Sequence, residues 1–179
     1  MAIPHGLYDL QQNKGYVQIG TSRDTSEFAC DSIYHWWTHH GSNDYPTASS
    51  ILLLCDAGGS NNARHYIFKE DLQTLANDLG IEIRVAHYPP YTSKYNPIEH
   101  RLFAQISRTC QGAIFESLEA LSNLIAQTST KTGLSVVTTI IDAVYETGRK
   151  AADEFKAHMP LRFDDHLPQW NYVAQPQHI

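Results

Sequence analysis

The chain has 179 residues, a length typical of one domain or of one domain with a small appendage. Its hydrophobic fraction of 42% supplies enough apolar side chains for a core and excludes a disordered chain. The formal net charge of −6 excludes a uniformly basic nucleic-acid-binding protein, so any contact with DNA has to be local.

The cysteines and the apolar segments indicate a cytoplasmic protein. Cys30, Cys55 and Cys110 are far apart, without the paired spacing of a metal site, which predicts reduced thiols. The first residues lack the pattern of a signal peptide. No stretch approaches the roughly 20 apolar residues of a membrane span, so we expect no membrane contact.

Seven elements are predicted in chain order before residue 110: two strands, a helix, a strand, a helix, a strand and a helix. They cover residues 6–10, 15–20, 25–40, 50–55, 63–79, 81–86 and 97–107. The first two strands form a hairpin, and Asp24 or Thr25 caps the first helix. The apolar run at 50–55 is typical of a buried parallel strand.

The remaining residues are predicted to be mainly helical, with helices at 117–127 and 150–158. The β-branched segment 133–145 fits either a helix or a strand. From Met159 onward the chain is irregular, with Trp170 and Tyr172 docking back onto the fold. We therefore predict a core over residues 1–110 and a helical extension of the same domain over 111–179.

The alternation of strands and helices predicts an α/β fold with a largely parallel sheet covered on both faces. Right-handed crossovers place strands 50–55 and 81–86 side by side. Asp56 then lies at the carboxyl end of its strand, where open α/β sheets bind their ligands.

Glu99 falls in the first turn of the helix that begins at Asn96 and Pro97. Asn96 is a good N-cap, Pro97 fits the first helical position, and an acid at the third position favours the helix dipole. Helix capping alone is therefore enough to explain Glu99. Asp56 also has a structural explanation, because an Asp that ends a strand commonly caps a turn. Both acids nevertheless lie on the same rim of the predicted sheet, where two carboxylates repel unless a cation such as Mg²⁺ or Mn²⁺ lies between them.

Two stretches together resemble the DDE transposases of bacterial insertion sequences. They are ILLLCDAGGSNN at 51–62 and PPYTSKYNPIEHRLF at 89–103, and weaker matches occur at 3–9, 130–134 and 170–172. The chain is most similar to the Rhodopirellula-type family, a relative of the mariner-like group. The resemblance covers nearly the whole chain.

The resemblance implies an RNase H-like, retroviral-integrase-like fold, with a mixed sheet flanked by helices, and DNA strand cleavage and transfer with Mg²⁺ or Mn²⁺. It implies that Asp56 and Glu99 are the second and third catalytic acids and metal ligands. Lys94, His100 and Arg101 surround Glu99, and they are either DNA-phosphate contacts or ordinary surface charges. The implied partner is DNA at the transposon ends.

The first catalytic acid of the family has no match in this chain, and neither has the first core strand. We therefore expect an N-terminally truncated catalytic core with little or no activity. The unpaired sheet edge would be closed by direct pairing of the 6–10 strand, or by a homodimer. The rival interpretation is a non-enzymatic relic, or a module that binds DNA or another transposase.

Other candidate residues have simpler explanations. Asp9 is a weak candidate to replace the first catalytic acid. If Asp9 did so, the chain could be a different metal-dependent phosphodiesterase. Asp24, Asp31 and Asp44 are still weaker candidates for that acid. The histidines 35, 39 and 40 have a spacing that allows zinc binding but is more typical of a solvent-facing helix end. The turn at 58–61 fits a phosphate cradle or a plain turn.

Overall fold

The computed structural model describes residues 2–56, 58, 65–89 and 91–177, and this part of the chain is a mixed α/β structure. The strands are β1 (Ile3–Asp9), β2 (Lys14–Gly20), β3 (Ser50–Asp56), β4 (Glu82–Tyr88), β5 (Ser135–Ile141), β6 (Arg162–Phe163) and β7 (Asn171–Ala174). The α-helices are α1 (Ser26–Trp36), α2 (Ser42–Asp44), α3 (Tyr66–Leu79), α4 (Ala104–Thr109), α5 (Leu118–Ala126) and α6 (Asp153–Ala157). A π-helical turn, Trp37–Gly41, follows α1, and another, Glu99–Phe103, precedes α4.

The chain divides into two compact units. The first contains Met1–Asp24 and Lys94–Tyr145, and the second contains Thr25–Ser93 and Glu146–Ile179. The predicted boundary between a core and an extension at residue 110 stays a prediction. The residues after it were expected to be helical, but they contain the strands β5, β6 and β7 as well as helices. Within the described ranges, no helix is long and apolar enough to cross a bilayer.

The first unit contains a three-stranded sheet in the order β1-β2-β5. β1 and β2 form the predicted antiparallel hairpin, and β5 pairs with β2 in parallel. Asp9 stabilises the hairpin turn, because its Oδ1 accepts hydrogen bonds from the backbone amides of Gln11 (2.9 Å) and Gln12 (3.0 Å). The open question at 133–145 is thus settled in favour of a strand.

The core of the first unit lies between this sheet and the helical residues that follow Glu99. Its buried members come from β2, β5, α5 and the π-helical turn: Val17, Ile19, Leu102, Ile125, Leu134 and Val136. Two glycines of the hairpin permit close packing against that turn. A Cβ on Gly6 would lie 2.5 Å from the Phe103 ring, and one on Gly15 would overlap Leu102. The hairpin glycines therefore set how closely the turn that carries Glu99 approaches the sheet.

Gly6→Ala is expected to destabilise the protein by about 1–3 kcal/mol, because the added methyl group overpacks against Phe103. In the double variant Gly6→Ala/Phe103→Leu the methyl group gains room, so the two changes should cost less together than the sum of the single changes. Urea unfolding of the four proteins measures this coupling. Strict additivity would show that Gly6 does not meet Phe103.

The second unit contains a four-stranded sheet in the order β3-β4-β7-β6. β3 and β4 are parallel neighbours, as the crossover rule predicts, whereas β7 is antiparallel to β4 and β6 is antiparallel to β7. Thr25 caps α1, since its side chain accepts from the Phe28 amide. Gly80 ends α3 in the left-handed conformation (φ 64°), where a side chain would be strained. The helices α1 and α3 pack together, and α3 also contacts β4 and β7.

Three expectations about the sheet are wrong within the described ranges. The strands form two sheets, each with parallel and antiparallel pairs, rather than one largely parallel sheet. β1 does not pair with β3, since the two are outer strands of separate sheets, and the alternative of a homodimer stays a prediction. β3 is not buried on both faces: Ile51 is buried, but Leu52 is 61% exposed. Alternate β3 side chains point to opposite faces, and the face that carries Leu52 and Leu54 remains largely exposed.

A charge cluster fixes the segment after residue 146 to the helices of the second unit. The Arg149 guanidinium lies 2.9 Å from Asp71 of α3 and 3.0 Å from Glu27 of α1. Asp71 is buried and also accepts a hydrogen bond from the Ser26 hydroxyl. Beyond Arg149, the Ala152 amide donates to the Glu70 carboxylate. The buried Asp71 carboxylate is therefore satisfied by groups from two other segments.

Arg149→Met is expected to cost about 1–3 kcal/mol of unfolding free energy, because a buried carboxylate loses charged hydrogen-bond donors. The matched control is Lys156→Met, which breaks an exposed ion pair with Asp153 and should cost less than about 1 kcal/mol. Thermal and urea unfolding compare the two variants. Equal small losses would mean that the Asp71 cluster contributes no more than a surface pair.

Candidate metal and DNA site

Asp56 is the last residue of β3, as predicted, and therefore lies at the carboxyl end of a parallel strand pair. In the ladder it stands opposite Tyr88, and Cys55 stands opposite His87. Its side chain is half-buried. By the alternation along β3, this carboxylate lies on the exposed face with Leu52 and Leu54, so a ligand can approach it from solvent.

A buried imidazole contacts the peptide of Asp56. His87 of β4 is 6% exposed, and its Nδ1 lies 3.2 Å from the Asp56 carbonyl oxygen. Its Nε2 lies 2.7 Å from the Tyr172 hydroxyl oxygen. The backbone N–H of His87 donates to the Trp170 carbonyl at 2.8 Å. His87 thus connects the end of β3 to the strand β7.

The electrostatics around His87 favour its neutral form. Burial lowers the pKa of His87, and the nearby Lys69 ammonium lowers it further, although the bond to the Asp56 carbonyl acts in the opposite direction. The Lys69 Nζ lies 5.2 Å from the centroid of the Tyr172 ring. Burial raises the pKa of the Tyr172 phenol and lowers the pKa of Lys69. The phenol therefore stays protonated and is available as a hydrogen-bond donor.

Glu99 opens the π-helical turn of the first unit, and the predicted N-cap is present. The Asn96 side chain accepts a long bond from the Ile98 amide (3.4 Å), and the Glu99 amide donates to the Asn96 carbonyl at 3.2 Å. Asn96 is buried, whereas Glu99 is half-buried. The helix start therefore orients a partly accessible carboxylate at its N-terminus.

The three candidate DNA contacts lie on the same short segment as Glu99. Lys94, His100 and Arg101 are all exposed. The Lys94 carbonyl hydrogen-bonds to His100 Nε2, and the Lys94 ammonium lies 5.0 Å above the Tyr95 ring. The carbonyl bond folds the segment so that Lys94 and His100 are neighbours. These exposed side chains can contact phosphate oxygens at the surface.

The predicted site residues divide between the two units. Asp56 belongs to the second unit, and Glu99, Lys94, His100 and Arg101 belong to the first. Among the residues that the structure describes, no three acids, histidines or cysteines form a group that could hold a metal ion. The two carboxylates do supply the oxygen ligands that Mg²⁺ and Mn²⁺ prefer, and such ions complete their shells with water and phosphate oxygens.

The weaker candidates have structural roles. Asp9 caps the hairpin turn, as described above. The His35 and His39 rings are stacked with centroids 4.0 Å apart, and His39 Nδ1 hydrogen-bonds to the His35 carbonyl, which is a helix-end arrangement. Most of the 58–61 turn lies outside the described residues, so its role as a phosphate cradle stays a prediction.

Sequence reasoning missed His87 and assigned Tyr172 only a general docking role. A signal for His87 was present: it follows Ile83 and Val85 at alternate positions, so it points to the same buried face of β4. A histidine on an apolar strand face requires partners, and those partners come from residues that are distant in sequence.

Comparison with known proteins identifies one family. The family described as the Rhodopirellula transposase DDE domain has a sequence model that matches residues 1–176. No curated protein and no solved structure matches the chain.

Proposed function

The chain belongs to the Rhodopirellula transposase DDE domain family, whose function is related to DNA transposition, and from this we propose that it is a metal-dependent catalytic portion of a transposase. The observation that carries the proposal is the match over residues 1–176 together with Asp56 at the carboxyl end of a parallel strand. An acid at that position is where α/β sheets bind their ligands.

We further propose an RNase H-like fold for the intact catalytic core. Its support is the order of the elements: an antiparallel hairpin, a helix, and then two parallel strands joined by helix α3. Among the described strands, β1 and β3 are outer strands of their sheets and provide places for an additional strand. Such a strand would satisfy backbone groups that the two sheets leave at their edges.

In the proposed mechanism Asp56 and Glu99 are ligands of Mg²⁺ or Mn²⁺. A metal ion held there would supply Lewis-acid assistance to a phosphoryl transfer. The two carboxylates hold and orient the ions, and Lys94, His100 and Arg101 contact the DNA backbone. The reaction class is cleavage and transfer of DNA strands at transposon ends.

In the proposed site Asp56 and Glu99 are two of the three acids of a DDE centre, and we propose that a further strand supplies the third. The edges of β1 and β3 support this proposal, because a further strand could carry an acid and pair there. A second copy could use the same edges, which is the homodimer expected from the sequence. The chain alone should therefore transfer DNA strands slowly or not at all.

A non-enzymatic module is the second candidate function. The observation that favours it is that Asp56 and Glu99 belong to different compact units. In that case the chain would bind DNA or another transposase without holding a catalytic metal. Metal binding by the purified chain separates the two candidates.

Calorimetric titration with Mn²⁺ is expected to show saturable binding that both Asp56→Asn and Glu99→Gln abolish, because each removes a charged oxygen ligand. The matched controls are Asp78→Asn and Glu119→Gln, which neutralise exposed acids on α3 and α5 and should bind Mn²⁺ as the parent does. Loss in only one site variant would mean that the two acids do not share a metal site. No binding by the parent would favour the non-enzymatic module.

Lys94→Ala and Arg101→Ala are each expected to weaken binding to duplex DNA and to reduce the salt dependence of binding by roughly one counterion. Fluorescence anisotropy over a series of salt concentrations measures both quantities. Lys131→Ala and Arg108→Ala remove exposed cations elsewhere in the first unit and serve as controls. Equal effects from all four variants would indicate unspecific attraction rather than a contact surface around Glu99.

A further inference from the structure

In its neutral form, the His87 ring has one tautomer that satisfies both of its contacts. The Asp56 carbonyl oxygen can only accept, so Nδ1 must carry the hydrogen in the 3.2 Å bond. In the neutral ring Nε2 then has a lone pair, and it accepts from the Tyr172 hydroxyl at 2.7 Å. The phenol therefore selects the tautomer that donates to Asp56.

Tyr172 is held firmly in place for this task. It is 1% exposed, and its residue pairs with Val85 in the β4–β7 ladder. The Lys69 ammonium lies over its ring, and the Phe163 ring lies 5.9 Å away, centroid to centroid. A buried phenol with a fixed ring presents its hydroxyl in a fixed direction, because only the O–H torsion remains free.

The hydrogen bond from His87 is made to the backbone carbonyl of Asp56, the residue whose side-chain carboxylate is the proposed metal ligand. Asp56 is the last residue of β3, and in the ladder it stands opposite Tyr88. The His87 donor provides a restraint at that point, from the neighbouring strand. Rotation about the Asp56 Cα–C bond would break it.

We propose that His87 is a positioning residue for Asp56, and that Tyr172 holds His87 in the tautomer that performs this role. The proposal deepens the proposed function and rests on Asp56 being a metal ligand. It makes strand β7 a part of the metal site even though β7 supplies no ligand. Partners that orient a metal ligand commonly change metal affinity by 10–100-fold when they are removed.

Mn²⁺ titration of four variants tests the proposal. Tyr172→Phe removes one oxygen atom, and His87→Leu removes both ring nitrogens; each should weaken Mn²⁺ binding by about tenfold. His87→Asn keeps an N–H donor near the position of Nδ1, so its affinity should lie closer to that of the parent. The control is Ser32→Ala, which removes a different buried hydrogen bond of the same unit, to the Phe28 carbonyl at 2.8 Å.

Nitrogen–proton correlation spectra of the His87 ring give a second readout, namely which ring nitrogen carries the hydrogen. A substitution that only loosened the structure would not change this readout. The parent should show the hydrogen on Nδ1, and Tyr172→Phe should shift the population toward the other tautomer. Parent-like affinity in Tyr172→Phe and His87→Leu would overturn the proposal. A loss in Ser32→Ala equal to theirs, or a hydrogen on Nε2 in the parent, would overturn it too.

Failure of the proposed function gives a distinct result. If the parent binds no Mn²⁺, Asp56 is not a metal ligand under these conditions, and the proposed function is overturned. The positioning of Asp56 is then decided by the ¹³C shift of its carbonyl. A change of that shift in Tyr172→Phe, but not in Ser32→Ala, would support the restraint, and an unchanged shift would overturn it.

Discussion

The parallel pairing of β3 with β4 is the constraint on which the rest of the candidate site depends. Its register places Cys55 opposite His87 and ends β3 at Asp56. Because side chains alternate, the same register directs His87 into the core and the Asp56 carboxylate toward the exposed face. A shift of β3 by one residue would place Asp56 opposite His87 and turn its carboxylate toward the core. The buried set on β4, Ile83 and Val85, opposes that shift.

Local chemistry made many features of the fold predictable from the sequence. The hairpin follows from two short β-rich runs around a polar turn, and the cap of α1 follows from Thr25. The position of Asp56 follows from an apolar run that ends in an acid. Each of these signals involves residues within a few positions of one another. The structure confirms them because short-range hydrogen bonds do not depend on the remainder of the chain.

The missed features depend on contacts between distant residues. β7 has four residues, and the segment around it carries no distinctive periodicity, so only its pairing with β4 identifies it as a strand. The exposure of Leu52 could not be predicted either, because an apolar run looks the same whether one or both faces of the strand are covered. The strand β5 was ambiguous for a related reason: β-branched residues fit a buried helix or a strand until a partner such as β2 is known.

The candidate acids illustrate the difference between a motif and a site. Asp56 and Glu99 each have a secure local position, one at a strand end and the other at a helix start, yet the two belong to different compact units. Their motifs specify where each carboxylate lies in its own unit, and the further partners of Asp56 come from a third segment of the chain. Trp170 and Tyr172 both bond to His87, which in turn bonds to Asp56. In the proposed site, the position of Asp56 therefore depends on a strand near residue 172 that contributes no acid itself.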